Sequence, residues 1–184
     1  MKRLALTLLL GLLPAALVQA QSDDARPKLG GGEPAPGINW QPFQEALETA
    51  EAQDKKLIID IYAPWCGWCT KLQNEVYSNE AVQDYVNEHF VITRLDIDDG
   101  EATYTFKEYT LSSAELAGGL GAQGTPTTVF LMPNQDYITR LPGFVDAEAY
   151  LQILRYIGTD AFMNQTFEEY LNAHGNAGAG TGGD

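Results

Sequence analysis

Leu57-Ile58-Ile59-Asp60-Ile61-Tyr62-Ala63-Pro64-Trp65-Cys66-Gly67-Trp68-Cys69 joins a near-continuous apolar run to two cysteines separated by two residues. A strand with one wet face alternates polar and apolar side chains, so Leu57 to Tyr62 reads as a strand covered on both faces. The cysteine pair follows at once and opens a helix. A thiol at a helix N-terminus sits beside unpaired backbone N–H groups and about half a positive charge from the macrodipole. Both favour its thiolate, the attacking species in disulfide exchange, and the second thiol, one turn on, reaches back. Two plainer readings compete. A permanent disulfide across so short a loop constrains little chain and adds little stability. A metal half-site lacks company, since His89 and His174 are the only histidines. Strand, CxxC and helix together point to redox exchange.

Outward from this stretch the period of the apolar residues switches repeatedly. Pro42 stands where a helix begins, and Phe43, Ala46, Leu47 and Ala50 recur at helical spacing. A second helical stretch runs from about Cys66 to Glu88, bent near Ser78, which is placed to cap its second half. Strands are expected over Phe90 to Ile97 and Thr127 to Met132, then a turn at Pro133-Asn134-Gln135-Asp136 and a hairpin partner over Tyr137 to Leu141. Ala147 to Ile157 reads as a helix capped by Asp146, and Thr166-x-x-Glu169 as a capping box for a short helix carrying Phe167, Tyr170 and Leu171. Between Asp98 and Gly124 the connection is long. Thr103 to Lys107 alternates like a strand, and Ser112-Ser113-Ala114-Glu115 offers a capping box for a helix over Ala114 to Leu120. The whole implies an α/β sandwich with a mixed central β-sheet flanked by helices.

The ends differ in kind. Residues 1–20 have a basic start, a short apolar run broken by Pro14 and small residues at a cleavage point, which read as a secretory signal peptide. The run is too short for the ~20 residues of a membrane span, so no stable membrane insertion is expected after cleavage. Residues 21–38 read as a flexible leader rich in glycine and proline, residues 39–173 as one folded domain, and 174–184 as a disordered glycine-rich tail. The 184 residues carry 11 Lys+Arg against 25 Asp+Glu, a formal charge of −14, with no basic cluster. That surplus argues against a nucleic-acid partner. Two cysteines make no disulfide framework, and export places them where thiols become disulfides.

The stretch from Ile58 to Cys69 resembles the thioredoxin active-site strand and loop, and Gly124-Thr125-Pro126-Thr127 resembles the loop whose proline is cis in that family. Gly124 to Phe130, Arg140-Leu141-Pro142-Gly143-Phe144 and Phe167 to Leu171 are similar to the exported SoxW-type thioredoxins found with bacterial sulfur-oxidation systems. The resemblance covers nearly all of 39–173. It implies a thioredoxin fold with an insertion at 99–120 before the cis-proline loop and an extra short C-terminal helix. It also implies Cys66 as nucleophile, Cys69 as resolving cysteine and Asp60, six residues before Cys66, as the buried acid that manages the proton of Cys69. The residues agree on Asp60: a charged carboxylate in mid-strand costs several kcal/mol to bury, so its pKa should rise. A structural pairing with Arg94 in the neighbouring strand is the alternative, and both can hold. Thr125 is implied to offer its backbone to a substrate chain as an added strand, beside a cis Pro126. Trp65 and Trp68 flank Gly67 on a convex loop, where they suit an apolar rim for a protein disulfide. Gly143 would let a partner's backbone approach closely; Trp40 reads as core. Most thioredoxins have proline where this chain has Trp68, whose N–H is a donor able to point at the Cys66 sulfur.

The expectation is a periplasmic thiol:disulfide oxidoreductase that reduces protein disulfides with neither cofactor nor metal. The resemblance implies recharging by a membrane-bound thiol electron donor, and a sulfur-carrier or cytochrome-maturation protein as client. A disulfide oxidase or isomerase is the alternative within the class, because Thr125 before the proline also occurs in exported isomerases. A non-catalytic carrier of Cu or Zn on the same fold is the alternative outside it.

Overall fold

In the computed structural model, which describes residues 33–174, seven strands and six α-helices follow the expected alternation. The expected signal peptide, the first part of the leader and the glycine-rich tail from residue 175 lie outside the described residues. The central sheet contains β1 (Trp40–Gln41), β2 (Lys56–Tyr62), β3 (Phe90–Asp96), β6 (Thr127–Leu131) and β7 (Tyr137–Pro142), in the order β1-β3-β2-β6-β7. β1, β3 and β2 are parallel; β6 runs antiparallel to β2, and β7 to β6. β2 lies in the middle and is buried on both faces, which is why it lacks polar alternation.

Successive side chains of β2 divide between two cores. Ile58 joins Leu72, Val76, Val82, Val86, Phe130, Tyr150 and Leu154 under α2 (Gly67–Leu72), α3 (Glu80–His89) and α5 (Ala147–Gly158). Leu57, Ile59 and Ile61 join Phe43, Leu47, Leu116 and Leu120 under α1 (Phe43–Gln53) and α4 (Ser113–Gly119). The caps act as the side-chain chemistry requires. Asp146 accepts the N–H of Ala149 at 2.9 Å, and Ser112 with Glu115 forms a complete capping box. Thr166 and Glu169 form the same reciprocal bonds at the start of α6 (Phe167–His174).

Four expectations need correction. The helix after Cys66 is not simply bent: α2 passes into a π-helical turn over Gln73–Tyr77, and α3 restarts from Asn79, whose Oδ1 accepts the N–H of Val82. Ser78 instead donates its hydroxyl back to the Asn74 carbonyl, an i−4 bond that spends its capping capacity. In the 99–120 insertion the expected strand β4 (Thr103–Phe106) finds a partner not expected from the pattern, β5 (Tyr109–Ser112), in a separate hairpin, and the helix α4 beyond it packs into the core. Trp40 is half-buried in β1, edge-on to Tyr77 at 5.0 Å between ring centroids.

The fourth concerns the leader. Residues 33–38 are packed, because Ala35 and Ile38 find places in the larger core. Their backbone groups are met by side chains: Gln83 donates to Pro36 O and Asn87 to Gly37 O, and the Trp40 indole donates to Ala35 O. Gly37 has φ +92°, and a Cβ there would lie 2.5 Å from Gln83 Oε1. Gly37→Ala should therefore destabilise the protein by about 1–2 kcal/mol. By calorimetry the melting midpoint should fall by roughly 3–6 °C, whereas an unattached leader would leave it unchanged.

Candidate active site

Pro64 and Trp65 carry the chain over the end of β2, and the N–H of Cys66 returns to the Ala63 carbonyl at 3.1 Å. Cys66 is the N-cap of α2, with extended backbone dihedrals, and is joined to Cys69 by a disulfide. The N–H of Cys69 lies 3.1 Å from both the carbonyl oxygen and the Sγ of Cys66, and the N–H of Thr70 also reaches that carbonyl. The first sulfur thus caps its own helix, where a sulfur anion gains most from orphan donors and the dipole. Cys66 keeps 5% of its surface and Cys69 1%, so attack from outside falls on Cys66.

Around this sulfur stand exposed aromatic groups. Trp65 is 72% and Trp68 58% exposed. The Trp65 indole N–H donates to Asp98 at 2.5 Å, which fixes one ring. Trp68 lies 5.6 Å from Phe144, and the Lys71 ammonium sits over both rings. Opposite them, the Thr125–Pro126 bond is cis. Pro126 O accepts the N–H of Gly143 at 2.8 Å, holding the end of β7 against the loop. Gly143 adopts φ +78°, a conformation that favours glycine. An open groove is lined by Gly124, Thr125, Pro126, Arg140 and Gly143, and a second lies between Thr125 and α4.

Asp60 is fully buried and in register with Arg94, whose Nε donates to Asp60 Oδ2 at 3.0 Å. The Arg94 guanidinium also stacks on the Tyr62 ring, 3.7 Å from its centroid. Burial pushes the Asp60 carboxyl above its ordinary range, and the charge and hydrogen bond of Arg94, then the Gln73 amide, pull it partly back. The pairing with Arg94 is therefore real, and it does not cancel the upward shift.

The structure brings Cys66, Cys69, Trp65, Trp68, Thr125, Pro126 and Gly143 to one end of the sheet. Gly67 is there too, but an added Cβ would meet none of the described residues within 4 Å, so nothing steric among them requires glycine. The donor seen on Cys66 Sγ is the N–H of Cys69 and not that of Trp68, which has no acceptor among the described residues. Sequence reasoning missed Asp98, Lys71 and Gln73. Only Gln73 carried a signal: it stands four residues after Cys69, on the same helical face.

A family model described as a thioredoxin-like domain matches residues 43–158. The thiol:disulfide interchange protein DsbD of Yersinia pestis is 29% identical over 124 residues, 64% of this chain and 19% of that protein. The chain spans 12–19% of the length of the curated relatives it matches. Among solved structures, a putative disulphide-isomerase from Bacteroides thetaiotaomicron is 30% identical with TM-score 0.53, covering 71% of this chain and 97% of that one. A thioredoxin-fold protein from Helicobacter pylori has TM-score 0.61 at 23% identity, covering 67% and 86%. The likeness extends to the fold: a mixed sheet flanked by helices, with a further C-terminal helix in this chain.

The unengaged N–H of Trp68 generates a prediction. On reduction the Cys66 thiolate gains a donor that proline would lack, and a hydrogen bond to a charged acceptor contributes ~1.5–3 kcal/mol. Since 1.4 kcal/mol is about 30 mV for this couple, wild type should be some tens of millivolts more oxidising than Trp68→Pro. Equilibration of both in glutathione buffers measures the difference, and an equal or more reducing wild type contradicts it.

Proposed function

The chain belongs to the thioredoxin-like family, and from that footing we propose that it is an exported thiol:disulfide oxidoreductase reducing protein disulfides through Cys66 and Cys69. The observation that carries this reading is a cysteine pair joined as a disulfide at the first turn of α2, with Cys66 Sγ on a backbone N–H and an open groove along Thr125 and Pro126 at the same end of the sheet.

The reduced protein presents Cys66 as thiolate. It attacks one sulfur of a substrate disulfide, forming a Cys66–substrate bond, and the displaced substrate thiolate takes a proton from water. Asp60 then removes the proton of Cys69. The Cys69 thiolate attacks Cys66 Sγ, the Cys66–Cys69 bond forms, and the second substrate sulfur leaves as thiolate and is protonated. One electron pair has passed from the dithiol to the substrate. Thr125 offers its backbone to the substrate as an added strand, Gly143 leaves room for that chain, and Trp65 and Trp68, flanking Gly67, supply an apolar rim.

The signal-peptide reading of residues 1–20 places the protein in the periplasm. No helix among the described residues is long and apolar enough to cross a membrane. A membrane-bound thiol donor would return the protein to the dithiol state. The SoxW-type resemblance names the client class, a sulfur-carrier or cytochrome-maturation protein, and the Cys69→Ser variant should trap that client as a mixed disulfide.

Insulin reduction with dithiothreitol tests the reading. Cys66→Ser should lose activity; stoichiometric metal on the reduced protein with no activity would contradict it. The proton role of Asp60 has a signature in pH. Asp60 acts as a base only when ionised, so the rate of mixed-disulfide resolution should fall as pH drops through its raised pKa. Asp60→Asn should slow that step by at least about tenfold and remove this limb from the rapid-mixing pH profile. An unchanged profile removes Asp60 from the chemistry.

A further inference from the structure

Gln73 is 2% exposed among apolar neighbours. It opens the π-helical turn one turn beyond Cys69, and its backbone N–H bonds to the Cys69 carbonyl. Its amide is engaged at both ends: Oε1 accepts the N–H of Ala35 at 2.9 Å, and Nε2 donates to Asp60 Oδ2 at 2.9 Å. A backbone N–H can only donate, so Ala35 decides which end of the amide is oxygen and which end faces Asp60. Asp60 Oδ2 then holds two donors, from Gln73 and Arg94, while Oδ1 is buried with no hydrogen-bond partner among the described residues. An orphaned carboxylate oxygen is costly to keep and calls for an explanation.

We propose that Gln73 is a positioning residue for Asp60, oriented by the backbone of Ala35, and that the clamp leaves Oδ1 as the oxygen that takes and returns the proton. This rests on the acid–base reading of Asp60 and adds which oxygen acts and what selects it. Protonation at Oδ2 would displace one of two donors; protonation at Oδ1 displaces none, so the buried pair need not rearrange as the proton moves. Residues 33–38 thereby become part of the site's support.

The charged or titratable groups interacting with Asp60 are Arg94 on β3, Tyr62 on β2, Tyr77 on the π-helical turn and Tyr150 on α5. Burial holds the three tyrosines far above their ordinary range. From acid to neutral pH, Asp60 is thus the member of this group that changes charge. In the disulfide form neither cysteine titrates, so the carboxyl is read cleanly.

The test follows the infrared C=O band of protonated Asp60, identified by its loss in Asp60→Asn, through a pH titration of the oxidised full chain. Gln73→Met is of similar length and removes the donor without adding charge; it should raise the midpoint by about 1–2 pH units. Gln73→Glu keeps an acceptor for Ala35 but faces Asp60 with a second carboxylate, and should raise it further. Midpoints unmoved or lowered in the folded variants overturn the proposal. If Gln73→Met does not fold, Gln73→Glu decides alone. Unmoved midpoints with the pH limb of resolution still lost in Asp60→Asn remove the clamp and leave the acid–base reading. Raised midpoints with resolution indifferent to Asp60 remove that reading, and with it the proton role assigned to the clamp.

Discussion

The contact between the Cys69 N–H and the Cys66 sulfur is the interaction on which the rest of the molecule depends. It exists because β2 is buried on both faces and ends under the first turn of α2, so the chain turns at Pro64 and Trp65 and places a sulfur where a cap belongs. The helix supplies donors and dipole; the two cores keep the helix where it is. Neither the sheet nor the helix is chemically special alone. Their junction puts Cys66 at a helix cap and leaves it the more accessible of two nearly buried cysteines.

Beneath that junction lies a polar arrangement that is costly to hold in an apolar core. Asp60, Arg94 and Gln73 are each nearly or wholly buried, and removing charge from water costs several kcal/mol per ion. The arginine, the amide and the Tyr62 ring offset part of that cost. One carboxylate oxygen has no hydrogen-bond partner among the described residues. The backbone of residue 35 reaches this cluster from a segment that precedes the first strand, so the N-terminal strap and the interior of the site are mechanically one unit.

Much of this was legible in the sequence. The apolar run of β2, the CxxC at a helix start and the capping boxes at Ser112 and Thr166 each have a short-range physical signature and stand where that signature placed them, whereas the cis bond before Pro126 is implied by the family resemblance. What escaped reading depends on distance in the chain. Ala35 and Ile38 sit in a glycine- and proline-rich stretch whose composition suggests a free leader, and their burial goes with Gln83 and Asn87 donating to the carbonyls of Pro36 and Gly37 between them and Trp40 to that of Ala35. Ser78 and Asn79 are both competent caps, and the π-helical turn chose between them. Asp98 and Lys71 are ordinary surface charges until Trp65 and Trp68 are brought beside them. The Trp68 N–H lies one residue from the donor the sulfur uses, a difference that spacing does not resolve.

The most direct measurement of the central claim is the acidity of the Cys66 thiol in the reduced protein, from thiolate ultraviolet absorbance against pH, with Cys66→Ser as the reference. A sulfur capping its helix should ionise clearly below the ~8.5 of a free cysteine. A midpoint at or above that value would mean that the helix start gives the sulfur no electrostatic advantage, and the account of its chemistry would fail.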